Sequence, residues 1–266
     1  MPRRRRRRPT VKTEAQLDRM RRAGSIVAEV LAAVAERARP GVSTAELDAV
    51  GAEIIERRGA VPSFLGYETE GRRYPAATCI SVNDVVVHGI PHAETKLRSG
   101  DIVSVDVGAC YEGYHADAAT TVAVGEVSEK ARALLRVTEQ ALYLGIGKAV
   151  VGGTVRNIGA AIQEHVEAGG FSVVRALVGH GIGKTMHEPP SVPNFVTEGQ
   201  EVRLQGNMTL AIEPMVNAGG HQVKVDEDGW TMRTADGCLS AHFEHTVVVR
   251  SGAAEVLTSR DAAAGG

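Results

Sequence analysis

Apolar residues recur at helical spacing in four stretches of this chain and at extended spacing in the segments between them. Residues 13–38 and 128–148 carry two long helical patterns. Shorter ones run from the 39–47 segment to about Arg58 and from the 151–158 segment to about Ala168. Each is entered through hydroxyl residues suited to N-capping and closed by a glycine, Gly59 and Gly169. Residues 102–109 and 114–122 read as two strands joined through the turn residues Tyr111, Glu112 and Gly113. Apolar runs at 208–212, 239–243 and 246–249 are short enough to be strands. Long helix, short helix and strands thus occur twice, offset by about 111 residues, which predicts an α+β domain of two pseudo-symmetric halves.

Five residues with ligand chemistry interrupt this pattern. With Tyr111 and Glu112 as a two-residue loop, Asp106 and Asp117 face each other directly across the hairpin, Cβ atoms about 4.5–5.5 Å apart. Opposed like charges destabilise a sheet, so a cation is expected between them. Two-metal hydrolytic sites hold their ions about 3.5–4 Å apart, a span two such carboxylates can share. Their neighbours Val103, Val105, Val107, Ala109, Ala116 and Ala118 are small and apolar, which suits an interior sheet better than a solvated edge. Glu213 closes the 208–212 run just before Pro214, and Glu244 separates the 239–243 and 246–249 runs. A carboxylate buried there is costly without a partner, and a metal ion would supply one. His180 stands among Gly179, Gly181 and Gly183, which let the backbone crowd a site, and His187 follows seven residues on. Gly183-Lys184-Thr185 copies the end of a nucleotide-binding P-loop. However, Val178 occupies the place of that motif's first glycine, and Pro189, Pro190 and Pro193 block the helix that should follow.

The segments 79–91, 105–108, 115–117, 179–183, 211–219, 228–230 and 243–246 stand in the order and spacing of the type I methionine aminopeptidases. The chain resembles that family over roughly residues 13 to 250. The resemblance implies a pseudo-two-fold pita-bread fold (the creatinase/aminopeptidase fold), with a central antiparallel sheet and outer helices. It implies removal of the initiator methionine from nascent polypeptide N-termini when the next residue is small, by a water bridging two divalent metal ions. As implied ligands, Asp106 and Glu244 are shared by the metals, Asp117 chelates one, and His180 and Glu213 complete the other. Glu213 would also take the proton of the water, a role that fits a carboxylate touching an acidified water. His187 would donate to the scissile carbonyl oxygen and His88 would contact the peptide nitrogen. Tyr74, Cys79, Met186 and Trp230, with Phe64 and Tyr67 beside them, match the methionine pocket, and soft apolar groups suit a thioether. Three features depart from the family pattern: Met186 replaces an aromatic, His242 replaces an uncharged amide, and residues 68–73 look inserted. Cobalt, manganese, iron(II) and zinc suit this donor set alike.

Composition adds limits. At 266 residues and 43% hydrophobic content, the expected layout is a single domain over 13–255, a basic tail over 1–12 and a frayed tail over 256–266. The net charge of −2 becomes −8 once Arg3 through Arg8 are set aside. That run reads either as a solvated arm or as a ribosomal RNA contact made through phosphates. Cys79, Cys110 and Cys238 are odd in number and lack a CxxC spacing, which argues against a disulfide framework or zinc knuckle and fits a reducing cytoplasm. No apolar stretch of about 18 residues occurs, so no membrane span is expected, and a monomer is. A proline-directed peptidase of the same fold usually carries an extra N-terminal domain. A binding module that has lost catalysis would be expected to lack ligands, and all five are present here.

Overall fold

Each of the four helices among the described residues begins at a hydroxyl side chain that accepts a hydrogen bond from a backbone N–H lacking an intrahelical partner. Thr13, Ser43, Ser128 and Thr154 cap α1 (Glu14–Arg37), α2 (Thr44–Arg57), α3 (Glu129–Ile146) and α4 (Val155–Ala168). At Thr13, Ser43 and Thr154 the side chain three residues on reaches back to the cap, closing a capping box. The structure, a computed structural model, describes residues 9–198 and 201–259, so the run Arg3–Arg8 lies outside the described residues.

The two halves have separate cores. In the first, Ile26, Val27 and Val30 of α1 and Leu47 and Ile55 of α2 pack with Val103, Val105 and Val107 of the strand Ile102–Tyr111. That strand pairs with Val61–Pro62, Cys79–Val82 and Tyr114–Ala123. In the second, Leu134 and Leu142 of α3 and Ile158 and Ile162 of α4 pack with Leu210, Ile212 and Val247. The sheet beneath runs Glu188–Val192, Gly179–Gly181, Thr209–Ile212, His245–Val248, Glu255–Val256. Every strand pair is antiparallel.

The halves are joined along one seam. Asp117 N donates to Thr246 Oγ1 at 2.9 Å while that hydroxyl donates back to Asp117 O at 2.8 Å. Glu244 N donates to Ala119 O at 2.9 Å, and Thr121 Oγ1 donates to His242 O at 2.7 Å. The backbone of 117–121 is thereby locked to that of 242–246, which holds Asp117 and Glu244 at a fixed spacing.

The hairpin register differs from the sequence expectation. Tyr111 pairs with Tyr114, Gly108 with Asp117 and Asp106 with Ala119, so the loop is Glu112-Gly113 and not Tyr111-Glu112. Both loop residues have positive φ, 47° and 79°, as a tight turn matching the strand twist requires, and a glycine second in the loop meets that demand. Asp106 and Asp117 therefore lie diagonally on one face. The two-residue slip keeps them on the same side of the sheet while relieving their direct opposition.

The ordered chain is also longer than 13–255. Val11 bridges to Met208, Lys12 N donates to Asn207 O at 2.9 Å and Lys12 is 6% exposed. At the other end Leu257 and Thr258 are each 2% exposed. Leu257 O lies where a Cβ on Gly24 would be, 2.2 Å away, so α1 needs glycine at that crossing. Residues 68–73 form a small exposed hairpin, Glu68–Thr69 against Arg72–Arg73.

Candidate metal centre and its pocket

Four elements converge on one cavity. The hairpin supplies Asp106 and Asp117, the strand Gly179–Gly181 supplies His180, Glu213 follows the strand Thr209–Ile212, and Glu244 sits between Ser240–His242 and His245–Val248. All five line a cavity of about 270 Å³, together with His88, His187, Phe64, Tyr67, Tyr74, Cys79, Met186 and Trp230. Every site residue named from the sequence is thus brought to one place. Val87, Leu177, Val178 and Met215 also line it. They were not singled out, although Val87 and Val178 adjoin the His88 and Gly179 motifs.

Donor atoms of Asp117, His180 and Glu244 lie within 4.8 Å of one another. His180 Nε2 is 3.5 Å from Glu213 Oε1 and 3.9 Å from Asp117 Oδ2. His180 Nδ1 sits 2.9 Å from Gly181 O. With the proton on Nδ1, Nε2 keeps its lone pair towards the carboxylates, the arrangement usual for a ligating imidazole.

The electrostatics are those of a cation site. Asp106 Oδ1, Asp117 Oδ1 and Glu244 Oε1 are buried without a hydrogen-bond partner among the described residues. Burial, eased by a hydrogen bond from Asp117, pushes Asp106 up to about 7. Burial and then the charges of its neighbours raise Asp117, Glu213 and Glu244 well above the carboxylate range. Burial holds His180 down at about 3. Orphaned oxygens on crowded carboxylates beside a neutral imidazole fit divalent cations, and the oxygen-rich donor set does not choose among them.

The flank of the cavity is aromatic. Tyr74 packs edge-to-face on Trp230 at 5.3 Å and on Phe64 at 6.5 Å, and its hydroxyl donates to Gly89 O at 2.9 Å. Burial pushes the Cys79 thiol up, so it stays neutral in this wall. The His187 ring lies 4.2 Å from that of His180, and its Nδ1 is 2.8 Å from the Tyr67 hydroxyl. His88 takes φ 58°, a strained backbone for a non-glycine residue, with its ring 6.4 Å from Trp230.

A buried ion pair braces the His187 loop. Lys12 Nζ donates to Glu188 Oε2 at 2.7 Å, with side chains only 5% and 9% exposed, and Thr185 N donates to Glu188 Oε1 at 3.2 Å. A Cβ on Gly183 would approach Lys12 Cε to 2.5 Å, so a side chain here would push the Lys12–Glu188 pair aside. Lys12→Met removes the cation but leaves Glu188 the Thr10 hydroxyl and the Thr185 N–H, and is expected to lower unfolding free energy by about 2 kcal/mol in urea titrations. A loss under about 1 kcal/mol would class the pair with exposed ones.

Residues 18–251 match the model of metallopeptidase family M24. A methionine aminopeptidase of Clostridium perfringens is 50% identical over 248 residues, 93% of this chain and 98% of the relative. The methionine aminopeptidase of Escherichia coli K12 is 44% identical over 252 residues, 94% of each chain. A solved methionine aminopeptidase of Thermotoga maritima superposes with TM-score 0.91 at 44% identity, covering 95% of this chain and all of the other. A prolidase from Pyrococcus furiosus, 22% identical, shares the fold with TM-score 0.76 over 94% of this chain and 65% of its own.

Proposed function

The chain belongs to metallopeptidase family M24 and, within it, to the type I methionine aminopeptidases, and from that premise we propose how its residues divide the work. The enzyme is a metal-dependent aminopeptidase that releases N-terminal methionine. In our reading its substrates are nascent polypeptides with a small residue after the methionine, and it acts as a cytoplasmic monomer. Asp106 and Glu244 would face both of two divalent ions, Asp117 one of them, and His180 and Glu213 the other. When bound, such ions supply Lewis acidity, polarising the scissile carbonyl and bringing the pKa of water near neutrality.

The protein side chains account for the rest. Phe64, Tyr67, Tyr74, Cys79, Met186 and Trp230 would enclose the methionine side chain, which presents the first peptide bond to the carboxylates. Glu213 would take the proton of the attacking water on a carboxylate oxygen and pass it to the leaving amine. With the Tyr67 hydroxyl donating to His187 Nδ1, the His187 Nε2–H is free to donate to the carbonyl oxygen as negative charge develops there. His88 would steady the peptide nitrogen. Burial keeps both imidazoles below their ordinary pKa, His88 at about 4, so each works in its neutral form.

The observation that carries this reading is the set of orphaned, buried carboxylate oxygens at the end of an aromatic and sulfur-lined cavity. Protein reconstituted with manganese, cobalt, iron(II) or zinc is expected to release methionine from Met-Ala-Ser and spare Met-Lys-Ser. Failure of all four metals to support release from Met-Ala-Ser would overturn it.

A further inference from the structure

The proposed ligand set leaves one buried imidazole without a task. His242 ends the strand Ser240–His242, is 2% exposed and lines the same cavity. Its backbone is held on both sides by Thr121, whose Oγ1 accepts from His242 N at 2.9 Å and donates to His242 O at 2.7 Å. Its ring, in contrast, has no hydrogen-bond partner at Nδ1 or Nε2 among the described residues. A native interior rarely leaves a ring nitrogen in that state without a reason.

The distances supply one. Nε2 of His242 lies 4.0 Å from Glu213 Oε2 and 3.9 Å from Glu244 Oε2. Both are too long for a hydrogen bond. They are what two donors to one ion display, because metal–nitrogen bonds of about 2.0–2.1 Å and metal–oxygen bonds of about 2.0–2.2 Å allow separations up to about 4.2 Å. His180 shows the same signature, 3.5 Å from Glu213 Oε1 and 3.9 Å from Asp117 Oδ2. Glu213 therefore presents one oxygen to each imidazole, His180 on one flank and His242 on the other.

We propose that His242 is a sixth donor of the metal centre, its Nε2 sharing with Glu244 the divalent cation that His180 does not hold, while Glu213 Oε2 stays free to carry the proton. This rests on the aminopeptidase reading for the presence of the ions. It gives each ion one imidazole, where the five-ligand set gives one ion only oxygen. That change shifts the second position away from hard, oxygen-seeking ions and towards zinc, cobalt and iron(II). The two positions are not equivalent. His180 has its far nitrogen oriented by Gly181 O, whereas Nδ1 of His242 has no such support, so the ion on the His242 side is the more easily lost.

The test uses the full chain labelled with ¹⁵N-histidine, cleared of metal and titrated with zinc. Imidazole nitrogens are followed by NMR, and both binding affinities by calorimetry. Two of the nine histidines are expected to take up zinc-bound nitrogen shifts. His242→Gln, which keeps a polar group of similar reach, is expected to erase one of the two and to raise the weaker dissociation constant at least tenfold, the loss that even an outer-shell partner of a ligand causes. A single shifted imidazole in the unaltered protein, or an unchanged weaker affinity in the variant, would overturn the assignment, and the unaltered protein decides even if the variant does not fold. Two zinc-bound imidazoles without any methionine release would leave the sixth donor standing and sink the aminopeptidase reading instead.

Discussion

Glu213→Gln is expected to lower the turnover of Met-Ala-Ser by about 10²- to 10⁴-fold, the range that removing a general acid–base group produces. Glutamine keeps the length and one oxygen of the side chain, so the position stays filled, but it cannot accept a proton. The wild-type carboxylate stands at the centre of the donor set, its Oε1 3.5 Å from His180 Nε2, where it would reach a water polarised by the ions. The methionine pocket is untouched by this change, so the loss should fall on kcat while KM stays within a few-fold. Steady-state kinetics with metal-reconstituted protein, checked against an unaltered melting temperature, provides the measurement. A variant that retains more than a tenth of wild-type kcat would remove Glu213 from the proton path.

How far the site could be read from the chain depends on the range of the interaction. Asp106, Asp117 and Glu244 announce themselves because a carboxylate inside a valine- and alanine-rich strand has no cheap way to be buried. The helices are legible to within a residue or two because Thr13, Ser43, Ser128 and Thr154 are local signals acting on their own helices. The hairpin register turned on where positive φ falls. Gly113 marks one loop position, and Glu112, not Tyr111, takes the other against its own preference. The ends were out of reach for a different reason. Lys12 finds Glu188 and Asn207, and Leu257 finds Gly24, partners more than 170 residues away that no periodicity exposes. The seam through Thr121 and Thr246 is equally non-local, and so is the orphaned ring of His242. The roles of His88 and His187 came only from resemblance, since an isolated histidine in a sequence carries no sign of what it faces.

In protein stripped of divalent cations, the melting temperature is expected to fall as pH rises from about 7.5 to 8.5. A carboxylate whose folded pKa exceeds its unfolded value stabilises fully below the unfolded value, and that contribution is lost as pH climbs through the folded pKa. Asp106, at about 7, and Asp117, Glu213 and Glu244, each raised well above its ordinary value, belong to this class. The buried imidazoles act in the opposite sense. His88 and His245 are lowered to about 4 and His180 and His242 to about 3, so they cost stability as pH falls below about 6.5. The two sets oppose each other between about pH 4.3 and about 7.5, and above that interval, where unfolded imidazoles are neutral, the raised carboxylates and the buried Cys79 thiol both favour the folded state less as pH climbs. Each proton the folded state must give up there is worth about 1.4 kcal/mol per pH unit. At about 2–4 °C per kcal/mol, that is on the order of 4 °C per pH unit for each such proton. Saturating manganese should reverse the trend, because the ligands bind it deprotonated and higher pH favours the loaded form. Scanning calorimetry at pH 6.5, 7.5 and 8.5, with chelator and with manganese, reads both effects. A stripped protein whose melting temperature holds level or rises from about pH 7.5 to 8.5 would mean the four carboxylates are already ionised without a cation. The cluster would then have no electrostatic need of metal.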